Sequence, residues 1–120
     1  MNSIQVTGRL TANPELTALP DGTPACKVRL AVKGMGRGHD VGYVDVTEFG
    51  AGGAAAAREL SKGWLVAVSG RLKYREWDAN GTYKRHEYEV VGHIEFLAAP
   101  RPKEAEQAEE PSESEVAVAA

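Results

Sequence analysis

The sequence predicts an all-β domain, a five-stranded barrel with one short helix, followed by a disordered tail. Stretches of alternating apolar and polar residues recur along residues 3–97, as in strands with one buried face. A single alanine-rich stretch, residues 51–62, favours a helix. Residues 99–120 are rich in Pro, Glu, Ser and Ala and contain no aromatic residue, so they cannot bury enough apolar surface to offset their ordering entropy. We therefore expect a folded domain over residues 1–98 and a disordered acidic tail over residues 99–120.

The net charge does not by itself indicate a partner. The chain has 14 basic and 17 acidic residues, and its net charge is −3. Residues 99–120 hold two of the cations and six of the acids, so residues 1–98 keep 12 cations and 11 acids. The function of the folded part must therefore depend on how its cations are arranged.

Several broad classes of protein are excluded. Cys26 is the only cysteine, so the chain is not a secreted disulfide scaffold, and we interpret Cys26 as a small buried strand residue. The N-terminus MNSIQVTGRL has no charged start followed by an apolar run, so no signal peptide is predicted. No window approaches the roughly 20 apolar residues of a membrane span. The expected location is the cytoplasm, at the nucleoid if the chain binds DNA.

The first two predicted strands place apolar side chains on one face. Residues 3–10 alternate and form the first strand. Asn13-Pro14 is a turn signal, residues 15–19 are short and extended, and Asp21-Gly22 predicts a hairpin turn. Residues 25–33 form the second strand, which turns Val28, Leu30 and Val32 inward and Lys27, Arg29 and Lys33 outward. A basic outer face is usually only a solvated surface, although it also suits a nucleic acid.

A glycine-rich loop and a strand with two outward aromatic residues follow. The loop, residues 34–42, lacks the ending of a P-loop, so it is either a flexible connector or a loop that folds over nucleic acid. In the third strand, residues 43–49, Tyr43 and Phe49 share a face with Asp45 and Thr47. These rings pack under a loop, form a subunit contact or stack bases, and the segment alone does not choose. In the helix of residues 51–62, Leu60 is the expected anchor and Gly63 the terminator.

The fourth strand, residues 64–77, carries the most informative pattern. Its even positions, from Trp64 to Tyr74, form a predicted buried face. Its odd positions end in a row of three cations, Arg71, Lys73 and Arg75, followed by Trp77. A cationic row tracks a phosphate backbone, and an indole offers a plane on which a base stacks. The strand therefore predicts a single-stranded nucleic acid on its outer face.

The last strand returns from an Asn-Gly hairpin at residues 78–81. Over residues 83–97 the predicted inner face consists of Tyr88, Val90, Ile94 and Phe96. Lys84, Arg85 and His86 should lie across the hairpin from Arg75 and Trp77, which makes the hairpin tip cationic. Gly70 and Gly92 are interpreted as bends where the strands curve around a closed sheet.

Five strands with a helix between the third and fourth are typical of the OB-fold, a Greek-key barrel that binds oligonucleotides. The sequence itself resembles the bacterial single-stranded DNA-binding protein family over roughly residues 1–97. The resemblance rests on VTGRLTANPEL, DGTPACKVRLAV, YVDVTEFG, ELSKGWLVAVSGRLKYREWDANG and YEVVGHIEFL, in that order. It implies a homo-oligomer, usually a tetramer, that binds single-stranded DNA without sequence readout in replication, recombination or repair.

The resemblance also implies which rings stack bases. Tyr43 stands where the family has a tryptophan, Phe49 matches a phenylalanine before a glycine, and Trp77 matches a tryptophan after the basic run. A further stacking tryptophan of the family, in the loop after the second strand, has no counterpart at Met35 and Gly36. Weaker binding or a shorter footprint is therefore expected.

The end of the chain departs from the family pattern. Many members finish in an acidic tip that closes with Pro-Phe and recruits replication and repair proteins, whereas this chain ends in SEVAVAA. Recruitment by that route is not expected. The departure suggests a secondary paralogue, serving competence, recombination or a mobile element, rather than the main replication protein.

The predicted mechanism is passive binding, with no cofactor and no metal. Eight cations are expected to neutralise phosphates: Lys27, Arg29, Lys33, Arg71, Lys73, Arg75, Lys84 and Arg85. An enzyme is not indicated, because the three histidines lack ligand spacing and Asp45 and Glu48 point to opposite strand faces. The alternative is an OB-fold interaction module for RNA or a protein partner.

Overall fold

The computed structural model describes residues 1–35, 40–79, 81 and 83–100. Gly36, at the expected position of the missing tryptophan, lies outside the described residues, and so does the predicted tail from residue 101 onward. The boundary predicted at residue 98 and the disorder of the tail therefore stay predictions.

Six strands and one helix form the domain. They are β1 Ile4–Leu10, β2 Glu15–Ala18, β3 Pro24–Lys33, β4 Val41–Phe49, α1 Gly50–Glu59, β5 Leu65–Ala79 and β6 Tyr83–Ala98. The observed helix ends earlier than the predicted one, which covered residues 51–62. Leu60 already has an extended backbone, although its N–H still donates to the Ala56 carbonyl oxygen. Gly63 follows with a positive φ of 94°, the left-handed conformation that glycine adopts most readily.

The strands close into an OB-fold barrel. The sheet order is β1-β5-β6-β4-β3-β2, and β1 also pairs with β3, so β1, β3, β4, β6 and β5 form a ring. β4 and β6 are parallel, and the other pairings within the described residues are antiparallel. This is the Greek-key order of the OB-fold, which confirms the predicted fold class.

The sixth strand arises because the first strand is interrupted. β1 pairs with β3 at Leu30 and Ala31, and β2 continues along the same strand from Lys27 to Pro24. The break contains Pro14, which has no backbone N–H to donate to a ladder. The prediction of five strands was therefore low by one, although the five barrel strands are those predicted.

The barrel interior is built from the alternating positions that the sequence indicated. Buried side chains include Leu10, Val28, Leu30, Val32, Val46, Val66, Val68, Val90 and Ile94. Ala56 of α1 and Leu60 join the same cluster, so Leu60 anchors the helix to the core as predicted. Cys26 is fully buried, and burial together with the nearby Glu48 raises the pKa of its thiol, in agreement with a structural role.

Four residues assigned to the inner face are exposed, and for these the prediction was wrong. They are Leu72, Tyr74, Tyr88 and Phe96. Leu72 lies past Gly70, the last residue of β5 that β1 reaches. Tyr74 and Tyr88 lie where β5 and β6 pair only with each other, because β4 meets β6 only at Val90 and Val91. Residues 71–79 and 83–89, here called the arm, thus extend beyond the barrel with two exposed faces. Phe96, near the other end of β6, contacts Trp64 at 6.0 Å between ring centroids.

The arm begins at two glycines that face each other. Gly70 and Gly92 are paired in the β5–β6 ladder, and a Cβ on Gly70 would stand 2.7 Å from the Gly92 Cα and closer still to the Val91 carbonyl oxygen. Neither position has space for a side chain. The glycines therefore permit a close backbone approach at the point where the barrel wall becomes the arm.

One buried carboxylate ties β4 to β6. Glu48 is only 7% exposed. Its Oε1 accepts a 2.8 Å hydrogen bond from the Ile94 backbone N–H, and its Oε2 lies 2.9 Å from the Nδ1 of His93. α1 packs tightly here, since a Cβ on Gly53 would collide with the Glu48 carbonyl oxygen. The side chain thus completes the short parallel pairing that closes the barrel.

Removing this carboxylate should destabilise the fold. In Glu48→Ala the buried Ile94 N–H loses its acceptor, which costs about 1–3 kcal/mol of unfolding free energy. Glu48→Gln keeps an acceptor oxygen and should lose less. Urea denaturation measures the change, and Glu95→Ala, at an exposed position of β6, is the control. Equal urea midpoints for Glu48→Ala and Glu95→Ala would contradict the role given to Glu48.

Candidate nucleic-acid interface

The outward-pointing side chains of four neighbouring strands form one continuous surface. In sheet order these strands are β5, β6, β4 and β3. Cross-strand partners lie on the same face, so the register assigns each strand's contribution to this surface, here called the outward face. Its members include Arg71, Lys73, Arg75 and Trp77 of β5, Arg85, Glu87 and Glu89 of β6, Tyr43, Asp45, Thr47 and Phe49 of β4, and Lys27, Arg29 and Lys33 of β3.

The three predicted stacking rings all lie on the outward face and reach solvent. The exposed fractions are 36% for Tyr43, 37% for Phe49 and 38% for Trp77. None of the rings is sealed in the barrel. Their exposure excludes an interpretation as core residues of this chain, and it leaves each ring with surface available to a ligand.

Trp77 is held by an arginine from its own strand. The guanidinium carbon of Arg75 lies 4.6 Å from the centroid of the indole, within the range of a cation–π contact. Arg75 is itself bonded to Glu87 of β6, with Nη2 2.6 Å from Oε1. The carboxylate fixes the guanidinium, and the guanidinium covers one side of the ring.

Tyr43 has an equivalent arrangement at the β3–β4 strand pair of the same face. The guanidinium carbon of Arg29 lies 5.0 Å from the centroid of its ring. Arg29 is paired with Asp45 in the β3–β4 ladder, so a carboxylate again stands beside the arginine. Two separate strand pairs thus present an exposed ring beside a guanidinium.

Phe49 occupies the last position of β4, at the start of α1. The next residue, Gly50, has a positive φ of 78°, which turns the chain from the strand into the helix. The Phe49 ring is consequently placed at the edge of the outward face rather than in its middle. Thr47, expected on the same face, is there but only 3% exposed, because Glu89 covers it and accepts a 2.8 Å hydrogen bond from its hydroxyl.

The structure separates Lys84 from the other predicted phosphate contacts. Lys84 pairs with Asp78, and its Nζ lies 3.3 Å from Oε1 of Glu76. These even-numbered residues occupy the face of the arm opposite to Trp77. His86 lies on this opposite face as well, because it pairs with Glu76. Of the cations expected at the tip, only Arg85 lies opposite Trp77 itself.

The opposite face of the arm consists of rings and carboxylates in contact with one another. Tyr74 lies 5.0 Å from Tyr88 and 5.9 Å from His86 between ring centroids. Its hydroxyl donates a 2.6 Å hydrogen bond to Glu76. This bond raises the pKa of Tyr74 to about 12 and lowers the pKa of Glu76. With Asp78 also on this side, the face is less suited to a polyanion than the outward one.

Sequence reasoning placed Asp45 on the outward face but missed two further carboxylates there, Glu87 and Glu89. Asp45, Glu87 and Glu89 stand between the cations of β3 and those of β5. They line a groove of about 340 Å³ together with Lys27, Arg29 and Asn13. The alternation of β6 combined with the Asn80-Gly81 hairpin would have located Glu87 and Glu89 opposite Arg75 and Lys73, which is where the register has them.

Two other kinds of site were sought in the same residues. Among the residues that the structure describes, no group of three or more His, Cys, Asp or Glu side chains is arranged to hold a metal ion. Within the same part of the chain, no helix has the length and apolar character needed to cross a membrane. The outward face is thus the feature on which a functional interpretation rests.

Comparison with known proteins agrees with this geometry. The model of the Single-strand binding protein family matches residues 1–97. The chain is 36% identical over 103 residues to Single-stranded DNA-binding protein 2 of Clostridium acetobutylicum, covering 81% of this chain and 77% of that protein. It is 32% identical over 120 residues to the Single-stranded DNA-binding protein of Aquifex aeolicus, covering 94% and 80%.

A third relative, the Single-stranded DNA-binding protein of Helicobacter pylori, is 37% identical over 103 residues, which cover 80% of this chain and 58% of that protein. Clostridium acetobutylicum has two further similar proteins, numbered 1 and 3, so one organism carries several such chains. The match of the family model extends over the whole barrel and the arm. The chain belongs to the Single-strand binding protein family.

Proposed function

We propose that this chain binds single-stranded DNA along the outward face, without reading its sequence, and protects it in replication, recombination or repair. The observation that carries the proposal is the pair of exposed rings, Tyr43 and Trp77, each beside an arginine on the same face. Membership in a family whose relatives are named for binding single-stranded DNA supports the same ligand. The role is that of a binding protein with no chemical step.

The exposed rings contribute to the binding free energy by stacking on bases. Each unpaired base has two flat faces, and stacking on an aromatic side chain is worth about 1–3 kcal/mol per base. Arg29 and Arg75 cover one side of Tyr43 and Trp77, so a base stacks on the other side and completes a guanidinium–ring–base sandwich. A duplex should bind poorly, because its bases already stack on one another.

The cations of the outward face contribute to the binding free energy by neutralising phosphates. Seven predicted cations lie on the outward face and serve this role: Lys27, Arg29, Lys33, Arg71, Lys73, Arg75 and Arg85. Lys84 points away with Glu76 and contributes least. Each neutralised phosphate releases counterions, so the logarithm of the affinity falls with the logarithm of the salt concentration by about 0.7 per contact.

We propose further that the chain acts as a homo-oligomer, with a tetramer as the first expectation from the family. Apolar side chains remain exposed on the single chain, among them Phe96 and Leu97 of β6, and an assembly would cover such surface. Solution mass measured with and without oligo-dT reports both the assembly and its stoichiometry with DNA. A monomer in both conditions would contradict the proposal of an oligomer.

Replacing the arm tryptophan should weaken binding. Trp77→Ala removes one stacking plane, so the affinity for poly-dT should fall by the equivalent of about 1–3 kcal/mol. Trp77→Phe keeps a plane and should lose less. Fluorescence titration at fixed salt measures the affinity. Tyr74→Ala, on the opposite face of the same arm, is the matched control and should bind as the parent does.

An unchanged affinity of Trp77→Ala for poly-dT would contradict the stacking role. The ligand class is tested by competition against poly-dT with duplex DNA and with poly-U. If RNA displaces poly-dT at lower concentration than unlabelled single-stranded DNA does, the chain is an RNA-binding module rather than a DNA-binding one.

Removing one carboxylate from the outward face should strengthen binding. Glu87 neutralises Arg75 and repels phosphate, so Glu87→Gln should raise the affinity for poly-dT and steepen the logarithmic salt dependence by up to about 0.7. Glu76→Gln removes the same charge from the opposite face of the arm, where it bonds Lys84. Its smaller effect separates local contact from overall charge. Equal gains in the two variants would show that the DNA does not follow the outward face of the arm.

A further inference from the structure

Tyr83, the first residue of β6, is an exposed ring that belongs neither to the stacking rings predicted from the sequence nor to those of the proposed function. The arm has three tyrosines with similar exposure: Tyr74 at 48%, Tyr83 at 50% and Tyr88 at 57%. Exposure alone does not distinguish them. Their positions in the β5–β6 register and their charged neighbours do.

The register places Tyr83 on the same face as Trp77. Trp77 pairs with Arg85, and Ala79 pairs with Tyr83. Tyr83 and Arg85 are two residues apart on one strand, so their side chains leave the strand on the same side. Tyr83 is therefore a diagonal neighbour of Trp77, a relationship that sets residues about 7–8 Å apart, within reach for large side chains. Tyr74 and Tyr88 pair with each other on the other face.

The charged surroundings of Tyr83 resemble those of the other two ring–arginine pairs. The guanidinium carbon of Arg85 lies 5.8 Å from the centroid of the Tyr83 ring, at the outer limit of a cation–π contact. Tyr43 with Arg29 and Trp77 with Arg75 show the same combination at 5.0 Å and 4.6 Å. In contrast, the Tyr74 hydroxyl is bonded to the carboxylate of Glu76, which would stand beside any phosphate that approached.

We propose that Tyr83, supported by Arg85, is a further base-stacking position, which extends the single-stranded DNA track past Trp77 to the tip of the arm. The inference rests on the proposed function, because it adds a residue to that same binding face. Arg85 then has two roles. It contacts the phosphate between the base stacked on Trp77 and the base stacked on Tyr83, and it orients the Tyr83 ring. The tip of the arm then engages one nucleotide more than Trp77 alone could hold.

Three single variants test the assignment on oligo-dT. Tyr83→Ala should weaken binding about tenfold, within a range of about fivefold to about 150-fold for one stacked base. Tyr83→Phe should bind as the parent does, since it keeps the ring. Tyr74→Ala, whose ring is equally exposed on the opposite face, should also bind as the parent does. The affinity is measured by fluorescence titration at one fixed salt concentration.

A length series sharpens the test. The shortest oligo-dT that gives full affinity should be about one nucleotide shorter for Tyr83→Ala than for the parent, because one stacking position is missing. If Tyr83→Ala matches the parent while Trp77→Ala is weakened, this inference is overturned and the proposed function stands. If Tyr83→Ala and Tyr74→Ala weaken binding equally, the face assignment is wrong. If the parent does not bind oligo-dT, both proposals fail.

Discussion

The antiparallel pairing of β5 with β6 is the interaction on which the rest of the structure depends. It runs from Leu65 and Ala98 at one end to Ala79 and Tyr83 at the other. Its first part belongs to the barrel wall, and its second part is the arm. Because the period of two continues through both parts, one register decides which residues fill the core and which rings and cations meet on the outward face. A slip of one residue would move Trp77 away from Arg85 and exchange the two faces of the arm.

The barrel could be predicted from the sequence because its strands are buried on one side. Val28, Leu30 and Val32 alternate with Lys27, Arg29 and Lys33, and the structure follows that pattern. The end of the barrel could not be predicted in the same way. Leu72, Tyr74 and Tyr88 continue the apolar alternation, yet none of the other described strands covers them. Periodicity reports which face a side chain takes, whereas burial depends on whether another element lies against that face.

The candidate site was predictable to a similar degree. Strand alternation and family resemblance located Tyr43, Phe49 and Trp77, and all three are exposed on the outward face. What sequence reasoning missed required the register across the hairpin. Lys84 and Arg85 are adjacent in sequence but lie on opposite faces, and Glu87 neutralises Arg75 from the neighbouring strand. A row of cations read along one strand overstates the positive charge, because its partners across the ladder contribute to the same surface.

The projecting arm also has a consequence for how copies of this chain coexist at high concentration. Along residues 73–79 and 83–89, each strand of the described structure pairs with another strand on one side only, so its outer edge can template a further strand. At Leu72 the Asn2 side chain already bonds both outer backbone groups, accepting from the N–H and donating to the carbonyl oxygen. Charged side chains occur at short intervals along both strands, from Arg71 to Asp78 and from Lys84 to Glu89. Charge along an edge is a common means of preventing edge-to-edge aggregation. The residues that suit the arm to a polyanion would thus also keep it from polymerising with its own kind.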